Sequence, residues 1–178
     1  MSPSSGLNPI ATCSPQQFNM VKSFGATAVF DYTSQTVASD IKAYTKGQLR
    51  HALDCITDQD SAACCYNAIG RAGGNYTSLE ACPAQWRPRN AIKYDFVLTI
   101  EAFGKDALLG GEYTRVASKE KQDLSAKLFV MVQKLLDKRM LETHPIKVVG
   151  RGFDKIIEAL ETLKRGEVRG SKLVVLLG

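Results

Sequence analysis

No apolar run in this sequence approaches the roughly 18 residues a membrane-spanning helix needs, and its first nine residues are polar with no apolar h-region. No membrane partner and no secretory signal are expected, and a cytoplasmic address follows by default. There are 23 basic residues against 18 acidic, a formal net charge of +5, yet no block of about five or six like charges occurs. A solvated surface accounts for that spread better than a nucleic-acid footprint, so no nucleic-acid partner is expected. Histidine is nearly absent, with only His51 and His144, and the five cysteines, Cys13, Cys55, Cys64, Cys65 and Cys82, are odd in number and scattered. Reduced, buried structural thiols are expected, rather than a disulfide frame or a metal site.

A phosphate-cradling G-x-G-x-x-G turn between a strand and a helix is also lacking. Only 13 residues precede Ser14, and the first nine hold a single glycine, Gly6, and no apolar strand. The run "GRAGGN" (70–75) follows a helical pattern and precedes a strand, the reverse of the required context. It reads as an ordinary helix-to-strand connection.

What is present is an alternation of strands and helices in a chain of 178 residues, 44% hydrophobic and 23% charged, long enough to bury a core. The stretch "IATCSPQQFNMVKSFGATAVFDY" (10–32) reads as strand, helix, strand. Ser14, Pro15 and Gln17 have the spacing of a capping box with proline in the first turn. Phe18, Val21 and Phe24 share a helix face, and Gly25 ends the helix. A strand end feeding a helix N-terminus favours an anion, although Ser14 can equally serve only as a cap.

The same reading places a second helix on Val37, Ile41 and Tyr44, a strand at "HALDCI" (51–56), a helix over 61–69 and a strand in "GGNYTSLE" (73–80). Strand–helix–strand at this spacing implies a parallel sheet. The alternation stops at "CPAQWRPR" (82–89), whose two prolines exclude a central strand. "KYDFVLTIEAF" (93–103) then reads as an extended apolar stretch. "GKDALLGGEYTR" (104–115) reads as a loop-rich excursion with a glycine pair. A long helix over 123–138 carries Leu124, Leu128, Met131 or Val132, Leu135 and Leu136 on one face. "PIKVV" (145–149) and "KLVVLL" (172–177) are strands around a helix expected to bury Phe153, Ile156, Ile157, Leu160 and Leu163.

Where an NAD-preferring fold places an acidic residue to bind the ribose, the end of the first strand offers Cys13 and Ser14, with Lys22 further along, so NADPH fits better than NADH. Asp54 and Glu80 read as structural or cofactor-side groups, and no nucleophile–base pair is visible, so the catalytic residues are unassigned.

Taken in order, "ATCSPQQFNMVKSFGATAVFDY", "ALDCI", "GGNYTSLE", "KYDFVLTIEAFGKDALLGGEY", "KLLDKRMLETHPIKVV" and "GFDKIIEALETLKRGEVRGSKLVVLLG" closely resemble the fungal trans-acting enoyl reductases, zinc-free members of the medium-chain dehydrogenase/reductase family. The resemblance implies NADPH-dependent reduction of the α,β double bond of an acyl chain carried by a polyketide synthase or polyketide–peptide hybrid synthase. It also implies a monomer, if a full-length form exists.

Residue by residue, the resemblance implies that Ser14, Pro15, Gln16 and Gln17 hold the 2′-phosphate end and that Tyr32 lies against the adenine ribose. Leu79 and Glu80 would line the nicotinamide side. Ile100, Glu101, Ala102, Phe103 and Gly104 would face the acyl substrate, and Val168 and Arg169 would return to the cofactor. Thr99 stands where the family is expected to have glycine, which narrows the substrate side.

The implied fold is α/β, an incomplete doubly wound parallel sheet of Rossmann type. Residues 1–9 form a polar start, 10–143 a partial NADP-binding domain, and 144–178 a C-terminal segment that in the family rejoins an N-terminal catalytic domain absent from this sequence. For a strand order of 3-2-1-4-5-6, loss of strand one leaves two unpaired edges, at 10–13 and 52–56, with about four backbone groups on each at roughly 1–3 kcal/mol per unsatisfied group. An alternative from another class is a non-catalytic remnant that docks on or regulates a synthase through those edges.

Overall fold

The computed structural model describes residues 6–177, so residues 1–5 of the polar start lie outside the described residues. The chain runs β1 (Ile10–Cys13), α1 (Phe18–Ser23), β2 (Ala28–Asp31), α2 (Val37–Tyr44), β3 (His51–Asp54), α3 (Gln59–Ala68), β4 (Gly74–Ser78), β5 (Ile92–Phe96), α4 (Lys119–Asp137), β6 (Ile146–Arg151), α5 (Asp154–Lys164) and β7 (Lys172–Leu176). Each strand pairing is parallel: β1 with β2, β3 with β4, β4 with β5, and β6 with β7.

Among the described residues these pairings form three separate sheets, and no strand joins β1 to β3. The order β2-β1, then β3-β4-β5, is the expected doubly wound order with its middle strand missing. The two pieces are connected by helices instead. Val37 and Ile41 of α2 and Ala68 of α3 share a buried cluster against which Ile10, Phe30 and Leu49 pack. A larger core lies over β3, β4 and β5, where Ala62, Tyr66, Ile69, Tyr76, Cys82 and Ile92 are buried together.

Helix α3 shows how local chemistry sets these boundaries. The apolar pattern begins at Ser61, but Asp58 caps the helix, accepting a hydrogen bond from Ser61 N at 2.7 Å while Ser61 Oγ accepts one from Asp58 N at 3.0 Å. This reciprocal cap moves the start back to Gln59. At the other end the Arg89 guanidinium donates to the carbonyls of Tyr66, Ile69 and Gly70 at 2.7, 2.8 and 2.6 Å, satisfying the last turn. Arg89→Ala should lower the urea midpoint by an amount equivalent to about 2–3 kcal/mol. Lysine should restore less than half of that, because an ammonium lacks the planar fork.

The "GRAGGN" segment is the expected connection between α3 and β4. Gly73 adopts φ +82°, and a Cβ there would lie 1.9 Å from the Ala91 carbonyl oxygen, so its glycines serve backbone geometry.

Other expectations are corrected. The extended reading of 93–103 holds only to Phe96; residues Thr99–Phe103 wind into a 3-10 turn closed by Gly104 at φ +62°. The apolar face of α4 is not buried: Leu124, Leu128 and Met131 are exposed and no residue of the helix is fully buried. In α5 only Ala159 is buried, while Phe153, Ile157, Leu160 and Leu163 are each at least half exposed. Amphipathic spacing reports which side of a helix seeks cover; Val132, Leu135, Leu136 and Ile156 find half of it, and Leu124, Leu128, Leu160 and Leu163 stay exposed. The cysteines are likewise less uniform than expected: Cys82 is buried, Cys55 is exposed, and the other three are half-buried. Burial chiefly, with Asp54 next, pushes the Cys65 thiol up to about 12. No helix among the described residues is long and apolar enough to cross a membrane.

Candidate functional site

In open parallel sheets ligands gather beyond the carboxyl ends of the strands, near the point where strand order reverses. Here that line runs through Ser14 after β1, Tyr32 after β2, Cys55 after β3, Leu79 after β4 and Val97 after β5.

Ser14 departs from the expected capping box in a useful way. Pro15–Gln17 forms a 3-10 turn in which Gln17 N donates to the Ser14 carbonyl oxygen at 2.9 Å. The amide a capping hydroxyl would serve is therefore already satisfied, and the Ser14 side chain makes no cap bond. A half-buried hydroxyl is left uncommitted beside the first turn of α1.

The C-terminal loop reaches the same turn. Gly170, at φ +63°, sits against Gln17 so closely that a Cβ would meet its Oε1 at 2.6 Å. This brings Val168 and Arg169 into the neighbourhood of Ser14, Pro15, Gln16 and Gln17, although more than 150 positions separate them in sequence. Tyr32 is exposed just past β2. Asp31 faces Cys13 in the sheet register, and its carboxylate accepts from Thr33 N at 2.9 Å and Thr33 Oγ1 at 2.8 Å. Burial first and Asp31 second push the Cys13 thiol upward.

Beyond the break in the sheet, Leu79 N donates to the Asp54 carbonyl oxygen at 3.1 Å and its side chain stays exposed. Glu80 accepts from the Tyr113 hydroxyl and from Ala81 N. The bond from Tyr113 chiefly, and that from Ala81, hold the Glu80 carboxyl below its ordinary value near 4.5, while Glu80 pushes the Tyr113 hydroxyl upward. A depressed carboxyl in the folded chain stabilises it above the ordinary value, and that contribution disappears as the pH falls through the lowered one. Protection of the amides over 107–115, taken against their intrinsic exchange rates at each pH, should therefore be high at neutral pH and fall once acidification protonates Glu80. Tyr113→Phe should lower that protection across the neutral range.

Ile100, Glu101, Ala102, Phe103 and Gly104 continue from β5 as the 3-10 turn packed on α4. Glu101 is paired with Lys121 and with Arg115 at 3.5 Å, so its carboxylate is committed to holding the turn. Gly104 lies against the Gln122 side chain, and Phe103 is 69% exposed. Thr99, exposed, opens the turn. The expected residues thus form two groups. One gathers at Ser14 and the C-terminal loop; the other, Leu79 and Glu80 with the 100–104 turn, lies beyond β4 and β5. Tyr113 was not foreseen; its only advance signal was the glycine pair before it.

The residues present fit one end of a phosphorylated dinucleotide: a free hydroxyl, an open helix start and no uncommitted carboxylate at the turn. They include no glycine-rich turn for a pyrophosphate. No group of three or more metal-ligating side chains occurs among the described residues.

No family model matches the chain. It is 42% identical over 173 residues to the trans-enoyl reductase FSL5 of Gibberella zeae, covering 97% of this chain and 48% of that protein. It is equally similar, over the same shares, to lovC of Aspergillus terreus, the enoyl reductase component of lovastatin nonaketide synthase. The trans-enoyl reductase TwmE of Talaromyces wortmannii is 45% identical over 164 residues, 91% of this chain and 45% of that protein. The chain therefore spans about half the length of the curated relatives it matches.

Among solved structures, the JamJ enoyl reductase aligns with a TM-score of 0.70 at 18% identity, and the CurF enoyl reductase cyclopropanase of the curacin A pathway with 0.69 at 20%. Each alignment covers 96% of this chain and 47% of the other. These neighbours show the fold, a doubly wound α/β domain of Rossmann type.

Proposed function

We propose, for a chain that belongs with the fungal trans-enoyl reductases and corresponds to their C-terminal part, that it supplies the cofactor side and part of the acyl side of an NADPH-dependent enoyl reductase serving a polyketide synthase or a polyketide–peptide hybrid synthase. The observation that carries this reading is collinear likeness at 42% identity along 97% of the chain. Residues 10–143 form the NADP-binding part, and 144–178 return toward a catalytic domain. Ser14, Pro15, Gln16 and Gln17 receive the 2′-phosphate, Tyr32 lies along the adenine ribose, and Val168 and Arg169 close over them. The uncommitted Ser14 hydroxyl supports this assignment.

Leu79 and Glu80 border the nicotinamide, with Glu80 acting through the loop it fixes, since Tyr113 and Ala81 already occupy its carboxylate. Ile100, Glu101, Ala102, Phe103 and Gly104 face the acyl chain, where Glu101 is a positioning residue. The cofactor, when bound, supplies the electron pair and one hydrogen that reduce the double bond. The chain's residues orient it against the thioester.

The test mixes this chain with the N-terminal half of FSL5 and supplies NADPH and a 2-enoyl pantetheine thioester. The expected product is the saturated thioester, two hydrogens heavier, formed only when both pieces are present. No product from the mixture, under conditions in which intact FSL5 turns over, would contradict the reading. The exposed apolar side of α4 favours one further reading, a non-catalytic module that docks on a synthase. Capture of the synthase without any NADPH binding would select it.

A further inference from the structure

Next to the 100–104 turn, Leu108 and Leu109 stand 80% and 65% exposed. They are not on a loose excursion. Ala107 and Arg115 form an antiparallel bridge with both bonds at 2.9 Å, and Ala107 is buried. Asp106 accepts from Ala117 N at 2.7 Å, Thr114 Oγ1 accepts from Gly110 N at 3.0 Å, and Tyr113 reaches Glu80. Tyr113 also packs edge-on against Phe96 at 5.6 Å, while the Arg115 guanidinium lies over that ring, 4.6 Å from its centre. A frame held at so many points displays two adjacent leucines to water, and they border a groove of about 540 Å³ with Ile100, Phe103, Lys105 and Asp106.

That volume falls within the range of small-ligand sites, roughly 300–1,000 Å³. The four apolar side chains involved cannot provide the approximately 800 Å² per partner of a stable protein interface. The groove also continues the turn assigned to the acyl chain, beyond the carboxyl ends of β4 and β5.

We propose that Leu108 and Leu109 form the far wall of the acyl groove and set the length of hydrocarbon it accepts. This inference rests on the reductase reading. A thioester-borne chain lies along Ile100 and Phe103 and ends against the two leucines, so binding strengthens with each methylene until the wall is reached.

The test titrates the purified, isotope-labelled chain with octanoyl-pantetheine and with pantetheine, following amide shifts, and titrates NADPH separately. Octanoyl-pantetheine should bind saturably and shift Ile100, Phe103, Leu108 and Leu109, whereas pantetheine should leave them in place. The double variant L108S/L109S should bind the thioester at least about tenfold more weakly, and L108M/L109M within about twofold of the parent. Both pairs are exposed, and a thermal melt verifies that they fold. No saturable thioester binding, equal binding by the serine variant, or shifts elsewhere would overturn the inference. If Ser14 still responds to NADPH in that case, only the groove assignment fails; if it does not, the reductase reading fails with it.

Discussion

Asp54→Ala should lower the stability of the chain by about 3–5 kcal/mol. Asp54 is 4% exposed at the end of β3, and both of its oxygens are used. One accepts from the amides of Ile56 and Thr57 at 3.0 and 2.9 Å, the other from Ser61 Oγ and Tyr76 Oη at 2.8 and 2.9 Å. The side chain thus ties β3 to the start of α3 and to the centre of β4. Alanine would strand the Tyr76 hydroxyl in the core, where burial and the bond to Asp54 already keep it firmly protonated. Against a typical domain stability of about 5–15 kcal/mol, in a sheet that is already open on one side, such a loss is a large share. Asparagine keeps the acceptor for the two amides, and both hydroxyls can turn to accept from its nitrogen, so it should cost less than half as much. Urea denaturation followed by circular dichroism measures both; an alanine penalty below about 1 kcal/mol would show that the network is not what joins these elements.

The second large effect is on binding. Ser14→Asp should weaken NADPH roughly a hundredfold while leaving NADH within about threefold, reversing the preference. On the proposed placement the substitution removes a hydroxyl donor and sets a negative charge against the 2′-phosphate. Ser14→Ala, which only removes the donor, should cost about tenfold. The site is half exposed, so the aspartate penalty should shrink as salt rises, a dependence that alanine should not show. Calorimetric titration of both cofactors at two salt concentrations separates these outcomes.

Both effects involve residues the sequence made visible to different degrees. The strand–helix alternation through β4 was legible, because buried parallel strands leave short apolar runs and helices leave a 3.6-residue period, whereas the break between β1 and β3 was implied only by the resemblance. The direction in which α4 and α5 find cover was not, since Leu124 or Leu160 has the same spacing whether or not anything packs on it. The Ser14 turn shows a subtler limit. Its residue types match a capping box, but a 3-10 turn satisfies the Gln17 amide through the backbone, and composition does not distinguish the two.

The tie between Tyr113 and Glu80, 33 positions apart, and that between Gly170 and Gln17 arise only when the chain is folded. So does the framing of Leu108 and Leu109. The residues proposed for the cofactor side came from resemblance, and the geometry adds which of their polar groups are already engaged.

An amide-resolved titration of the purified chain with NADPH tests the central claim most directly, that a phosphorylated ribose sits between the Ser14 turn and the C-terminal loop. The expected result is saturable shifts at Ser14, Gln16, Gln17 and Tyr32 together with Val168 and Arg169, and markedly weaker shifts with NADH. Saturable NADPH binding that leaves Ser14 and Arg169 unmoved, or identical responses to the two cofactors, would contradict it.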